Sequence, residues 1–206
     1  RRARARAPGL AVAFLVMAVV GCAPVETRAP ISPPPPESPA AAAPALAAPR
    51  SGMVKTAVIR TERGTIRFVL LDKIAPRHVE NFVALTNKGY YQNLLFHRVL
   101  PGVLIQGGDP KGDGTGGPGY AVKAEFSDYP HTAGTVGMAR TDDPDSAGSQ
   151  FFIARKDMPN WNGTYTVFGQ VYEGLDVVNA VAAGEHLLDV RIVEVERAKL
   201  PQDILR

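Results

Sequence analysis

The sequence predicts a mainly β domain, a sandwich or a closed barrel carrying two helices, behind an N-terminal segment that stands apart from it. Eight short runs rich in β-branched and aromatic residues recur between residues 56 and 196, separated by turns rich in Gly, Pro and Asp. Two other stretches, opening at Pro76 and Leu175, keep helical spacing instead. Before residue 52 the composition shifts to Ala and Pro, with no hydrophobic periodicity.

In chain order, runs 56–61 and 65–71 flank Arg63-Gly64 and read as an opening hairpin. In the helix that follows, Pro76 suits the first helical position, Val79, Phe82, Val83 and Thr86 keep 3.6-residue spacing, and Gly89 suits the end. Further strands are expected over 95–99, 103–106, 135–139, 150–154, 167–171 and 190–196, with a second short helix over 175–181. Many short strands at this spacing suit a sandwich or a closed barrel whose ends the helices plug.

The chain's 206 residues and 22.0 kDa leave room for one ordinary domain and an appendage. With 45% hydrophobic and 21% charged residues, it is neither wholly disordered nor a multi-span membrane protein. A net charge of +3 invites a nucleic-acid partner, but six arginines and only two glutamates fall within residues 1–50. The remaining residues carry 17 basic against 18 acidic side chains. So neutral a body has no electrostatic footprint for phosphate, and no nucleic-acid partner is expected.

Arg1, Arg2, Arg4 and Arg6 precede an uncharged run over 10–20 and then Gly21-Cys22, the pattern of an export signal. Eleven helical residues cover roughly 16 Å, short of the ~30 Å hydrocarbon core, which disfavours a permanent spanning helix. Val19-Val20-Gly21-Cys22 resembles the bacterial lipoprotein box. Cys22 is therefore the candidate lipidation site, with an ordinary signal ending near a cysteine as the alternative. The expected organisation is a signal over 1–22, a Pro/Ala-rich spacer over 23–53, a folded domain over 54–200 and a tail over 201–206. The expected location is extracytoplasmic or periplasmic, on a membrane through a lipid anchor, and the expected state is a monomer. Cys22 is the sole cysteine, so the domain itself can use neither a disulfide nor a thiolate.

Residues 112–117 satisfy G-x-G-x-x-G, but Pro118 and Gly119 follow where a dinucleotide site needs a helix, so this is a loop. There is no Walker lysine, G-x-S-x-G elbow or His-x-x-x-His helix, which excludes those nucleotide, serine-hydrolase and zinc-protease readings. Asp142, Asp143 and Asp145 lack EF-hand spacing and read as a solvated acidic turn around Pro144. No metal or cofactor is expected.

The informative segments are Phe96-His97-Arg98-Val99-Leu100-Pro101-Gly102, Gln106-Gly107-Gly108-Asp109 and Gly148-Ser149-Gln150-Phe151-Phe152-Ile153. Strand alternation puts Phe96 with Arg98 on one face, and Gln150 with Phe152 on one face. A guanidinium near an amide and a phenyl-lined slot could recognise a peptide; equally, Arg98 could be a surface residue and Phe152 a core residue.

Together with Gly114-Thr115-Gly116-Gly117, Gly137-Met138-Ala139-Arg140 and Val167-Phe168-Gly169, these segments make residues 55–195 resemble a cyclophilin-type peptidyl-prolyl cis-trans isomerase. The resemblance implies a closed eight-stranded antiparallel β-barrel capped by two helices, with substrate in an outer groove. It implies catalysis of rotation about Xaa-Pro bonds of proline-containing polypeptides, assisting the folding of exported proteins without a cofactor. Arg98 matches the family's catalytic arginine, Gln106 a donor to the peptide carbonyl, and Phe152 the floor of the proline pocket. Leu104, Met138 and Tyr165 match positions at that pocket, and His97, Ala139, Arg140 and Gln150 match groove positions. Four positions depart from the common pattern. Val103 stands where a phenylalanine is frequent, Tyr165 where a histidine is, Trp161 where a leucine is, and Asn160 where the drug-contacting tryptophan falls. Weak cyclosporin binding is the expectation. The smaller Val103 also motivates an alternative, a tethered module that binds proline-containing segments with little turnover.

Overall fold

The computed structural model describes residues 52–204, so the expected signal, Cys22 and nearly all of the expected spacer lie outside the described residues. Strands β1 (Met53–Thr61) and β2 (Gly64–Leu70) form the expected hairpin, in register from Thr56↔Val69 to Thr61↔Gly64. Their alternation buries Ala57, Ile59, Ile66 and Phe68 completely. Helix α1 (Pro76–Asn87) opens on Pro76, as expected, and turns His78, Val79, Phe82 and Val83 inward. Its first N–H groups are capped from a distance: the Glu125 carboxylate accepts from the backbone N of Arg77 (3.1 Å) and His78 (3.0 Å). Phe82 anchors the core, with ring centroids 5.0–5.8 Å from Phe68, Tyr91, Phe151 and Phe168.

The remaining strands are β3 (Leu94–Leu95), β4 (Arg98–Leu100), β5 (Leu104–Gly107), β6 (Thr135–Met138), β7 (Phe151–Ala154), β8 (Val167–Glu173) and β9 (His186–Glu196), with α2 (Leu175–Ala180) between the last two. All belong to one sheet, ordered β3-β9-β1-β2-β8-β6-β7-β5-β4, with every pairing antiparallel. It is a curled half-barrel of nine strands, where a closed barrel of eight was expected. The difference arises at residues 95–99, expected as one strand. Phe96 leaves the ladder to bond with the loop before β9, donating to Glu185 O (2.9 Å) and accepting from Gly184 N (3.0 Å). Its ring is fully buried, so Phe96 and the exposed Arg98 do not share a face. Residues 96–97 thus carry the chain from one end of the sheet order to the other. Beneath β2 and β8, Ile204 joins Val69, Leu71 and Val167 in a second apolar cluster.

Candidate active site

Adjacent strands bring the three proposed catalytic residues into one row. Arg98 on β4 faces Gln106 on β5, Gln106 faces Phe152 on β7, and Phe152 faces Gly137 on β6. Strands lie ~4.8 Å apart, so Arg98 stands roughly 10 Å from Phe152 along the row, within reach of an extended guanidinium. Arg98 Nη1 donates to Gln106 Oε1 (3.3 Å), and Gln106 Nε2 donates to Gln150 Oε1 (2.9 Å). Gln150 Nε2 in turn donates to the carbonyls of Gly114 and Gly116, both at 2.9 Å. This chain of amides orients Gln106 and leaves Arg98, at its exposed end, with guanidinium N–H groups to spare.

The row borders an apolar slot on the side of the sheet away from the main core. Leu104 precedes Gln106 by two residues and therefore shares its face; it clusters with Phe152, Ala154 and Met158, flanked by Leu100, Val103, Trp161 and Tyr165. The Phe152 ring meets Trp161 edge-on at 5.2 Å and Tyr165 at 5.6 Å, and those two rings lie 4.8 Å apart. Gly137 is what lets the Phe152 ring pack closely against β6: a Cβ there would come within 2.4 Å of the ring's Cζ.

Met138 does not join the slot. One residue beyond Gly137, it points to the opposite face and is 1% exposed in the main core, so strand alternation corrects its expected place at the proline pocket. Ala139 contributes through its backbone, donating to Gln150 O (3.0 Å). Arg140 acts through its side chain as well. Its guanidinium lies 4.9 Å over the Tyr165 ring and donates to the carbonyls of Thr164, Thr141 and Asp142, pinning the slot's outer wall. His97 is half-buried beside the row, and neither of its ring nitrogens has a hydrogen-bond partner among the described residues.

Gln106, Ala139, Arg140 and Gln150 also face a second cavity of about 750 Å³, closed on its far side by residues 114–120. The glycine-rich loop is a loop, as expected, and it wraps the carboxylate of Asp109. Lys111, Asp113 and Gly114 donate their backbone N–H groups to that carboxylate at 2.5–3.1 Å. Burial alone would raise the Asp109 pKa, but the N–H groups of Lys111, Gly114 and Gly116 hold it below the ordinary value. Gly116 lies so close that a Cβ would overlap Asp109 Oδ1.

Sequence reasoning missed His131 and Met158. Both fall in irregular segments with no periodic pattern, and only the fold brings them to Phe152. His131 is 1% exposed and stacks parallel to the Phe152 ring at 6.3 Å.

The groups assembled here are hydrogen-bond donors and acceptors beside an apolar slot, suited to gripping a peptide and polarising one of its bonds. A family model for cyclophilin type peptidyl-prolyl cis-trans isomerase/CLD matches residues 56–197. A peptidyl-prolyl cis-trans isomerase of Synechococcus elongatus is 48% identical over 139 residues, covering 66% of this chain and 95% of that protein. Peptidyl-prolyl cis-trans isomerase B of Bacillus subtilis is 45% identical over 142 residues, covering 68% and 99%. Among solved structures, a Cryptosporidium parvum cyclophilin-type isomerase crystallised in the presence of the dipeptide Ala-Pro matches with TM-score 0.63 and 32% identity, over 67% of this chain and 98% of that one. With this match along most of its folded part, the chain belongs to the cyclophilin-type peptidyl-prolyl cis-trans isomerase family.

Proposed function

We propose that the domain over 54–200 catalyses cis-trans rotation about Xaa-Pro bonds through Arg98, Gln106 and Phe152. The observation that carries this is the row in which a guanidinium, an amide and an aromatic ring face one another on three neighbouring strands. Amide resonance opposes rotation with a barrier of about 18–20 kcal/mol, and uncatalysed exchange takes tens to hundreds of seconds. A proline ring seated on Phe152, between Leu104, Val103, Trp161 and Tyr165, brings its imide nitrogen toward Arg98. As the bond twists, resonance is lost and the nitrogen lone pair localises. An N–H of Arg98 then donates to it, an interaction that the planar ground state does not offer. Gln106, oriented by Gln150, holds the peptide carbonyl while the rest of the bond turns. No covalent bond forms or breaks. The residues preceding proline extend along His97, Ala139, Arg140 and Gln150 toward the second cavity.

The Ala-Pro dipeptide supplied to the Cryptosporidium relative supports proline-containing polypeptides as the substrate class. Exchange spectroscopy on a short Ala-Pro peptide tests this: acceleration of cis-trans exchange supports catalysis, whereas broadening without acceleration means a binding module.

Three further parts belong to the reading: location, oligomeric state and closure of the barrel. The enzyme is exported and lipid-anchored at Cys22, held off the membrane by residues 23–53 as a spacer, and works as a monomer on exported clients. Loss of palmitate incorporation in Cys22→Ser tests the anchor. Finally, β3 and β4 act as one bent strand that closes the sheet into a barrel of eight. Only two residues separate them, and a bridge between Leu95 and Asp109 supports the closure.

A further inference from the structure

We propose that His131 is a positioning residue for the isomerase reaction: its neutral imidazole backs the proline slot and holds Phe152 and the Trp161–Tyr165 wall in place. The inference rests on the isomerase reading above and adds to it a residue behind the site. Three sets of contacts converge on His131. Its ring stacks on Phe152 with a 17° interplanar angle, and meets Trp161 and Tyr165 edge-on at 6.3 and 6.4 Å. Its carbonyl accepts from Met158 N (2.7 Å), at the start of the turn that carries Trp161. Its backbone N donates to Asn162 Oδ1 (2.8 Å), at the end of that turn.

The last bond fixes the tautomer. A backbone N–H can only donate, so the Asn162 atom facing it is the amide oxygen, which lies 3.2 Å from His131 Nδ1. Nδ1 therefore carries the proton of the neutral ring, and Nε2 is a buried lone pair with no partner among the described residues. Protonating Nε2 would add an N–H with no acceptor there and a positive charge inside the cluster. Burial holds the His131 pKa below the ordinary histidine value, partly offset by the Asn162 bond. The surrounding elements present Phe152 from β7, Trp161 and Asn162 from the turn, and Tyr165, whose phenol is the one titratable group among these. The charged groups nearby in the chain of contacts are Asp157, which accepts from Ala133 N, and Arg140, stacked on Tyr165; neither hydrogen-bonds to the imidazole.

Phe152 supports the proline ring in the planar and the twisted state alike, so a displaced ring weakens binding more than turnover. The test uses the full chain and an Ala-Pro tetrapeptide, with exchange rates followed from pH 7.5 downward. Histidine and phenylalanine ring signals are recorded in parallel. In His131→Asn, which keeps a donor for Asn162 but loses the ring, KM is expected to rise about 10-fold with kcat within about threefold. His131→Phe, which keeps a ring and cannot titrate, is expected to recover most of that loss. In the wild type kcat/KM is expected to fall as the His131 ring takes up its proton, with Phe152 signals moving in step. That inflection is expected to be absent from His131→Phe. Two variants with the wild-type KM and acid profile overturn the proposal. So do Phe152 signals that ignore the imidazole titration, a readout that stands even where a variant fails to fold. A wild type that never accelerates exchange, while Phe152 still follows His131, overturns the isomerase reading instead.

Discussion

Replacing Gly137 by alanine perturbs the slot through one atom. Gly137 sits in β6 opposite Phe152, and an added Cβ would lie 2.4, 2.8 and 3.1 Å from Cζ, Cε1 and Cε2 of that ring. Ordinary contact begins near 3.4 Å, so the ring has to retreat by about 1 Å. Behind it stand His131, Trp161 and Tyr165, which leaves little room to give. Overpacking of this kind costs about 1–3 kcal/mol, or roughly 2–12 °C in Tm for a domain of this size. Phe152 is the surface on which the proline ring rests, and a misplacement of about 1 Å in a positioning group costs up to on the order of 10², so kcat/KM for an Ala-Pro peptide is expected to fall about 10- to 100-fold, chiefly through a raised KM. The double variant Gly137→Ala with Phe152→Leu is expected to recover stability without activity, because the clash goes and the slot floor goes with it. Thermal unfolding and peptide exchange measured on the same samples separate the two effects. Gly137→Ala with both wild-type Tm and wild-type kcat/KM would falsify the close packing of Phe152 on β6.

Three further outcomes follow from the contacts. Gln150→Leu removes the acceptor for Gln106 Nε2 and the donor to Gly114 and Gly116, so kcat/KM is expected to fall about 3- to 10-fold from loss of one or two net hydrogen bonds; an unchanged value would show that Gln106 is oriented by other means. Burial holds the His78 pKa below the ordinary histidine value despite its bond to Glu125. Below about pH 6.5 the unfolded chain binds a proton that the folded state resists, so stability is expected to fall from pH 7 to pH 5 and level off above, with a shallower slope in His78→Gln; equal slopes would contradict this. Cyclosporin is expected to inhibit only well above nanomolar concentration, since Asn160 is exposed and Trp161 is spent against Phe152; nanomolar inhibition would refute that.

The elements legible in the sequence were those marked by local signals. Two β-rich runs about Arg63-Gly64 mark the β1–β2 hairpin and helical spacing after Pro76 marks α1, and both lie where those signals put them. The break between β3 and β4 was not legible, because Phe96 turns away to pair with a loop almost ninety residues on. β9 begins at His186, four residues before the alternation at 190–196, because there its partner is β3. In the site, Arg98, Gln106, Gln150 and Phe152 stand on strands whose register brings them together. Met138 was misplaced because a motif match carries no face, whereas a strand does. The stacking of Arg140 on Tyr165 was not legible because it joins segments 25 residues apart.

The central claim is that Arg98 stabilises the twisted imide. It is tested most directly by exchange spectroscopy on an Ala-Pro peptide with the wild type and Arg98→Ala. Arg98 is exposed and bonded only to Gln106 among the contacts described, so the variant is expected to keep its stability within about 0.5 kcal/mol. Loss of a transition-state donor worth about 2.7–4 kcal/mol lowers kcat/KM on the order of 10²- to 10³-fold, and that collapse on an intact fold is the expected result. Exchange still accelerated to the wild-type rate by a folded Arg98→Ala would contradict the mechanism.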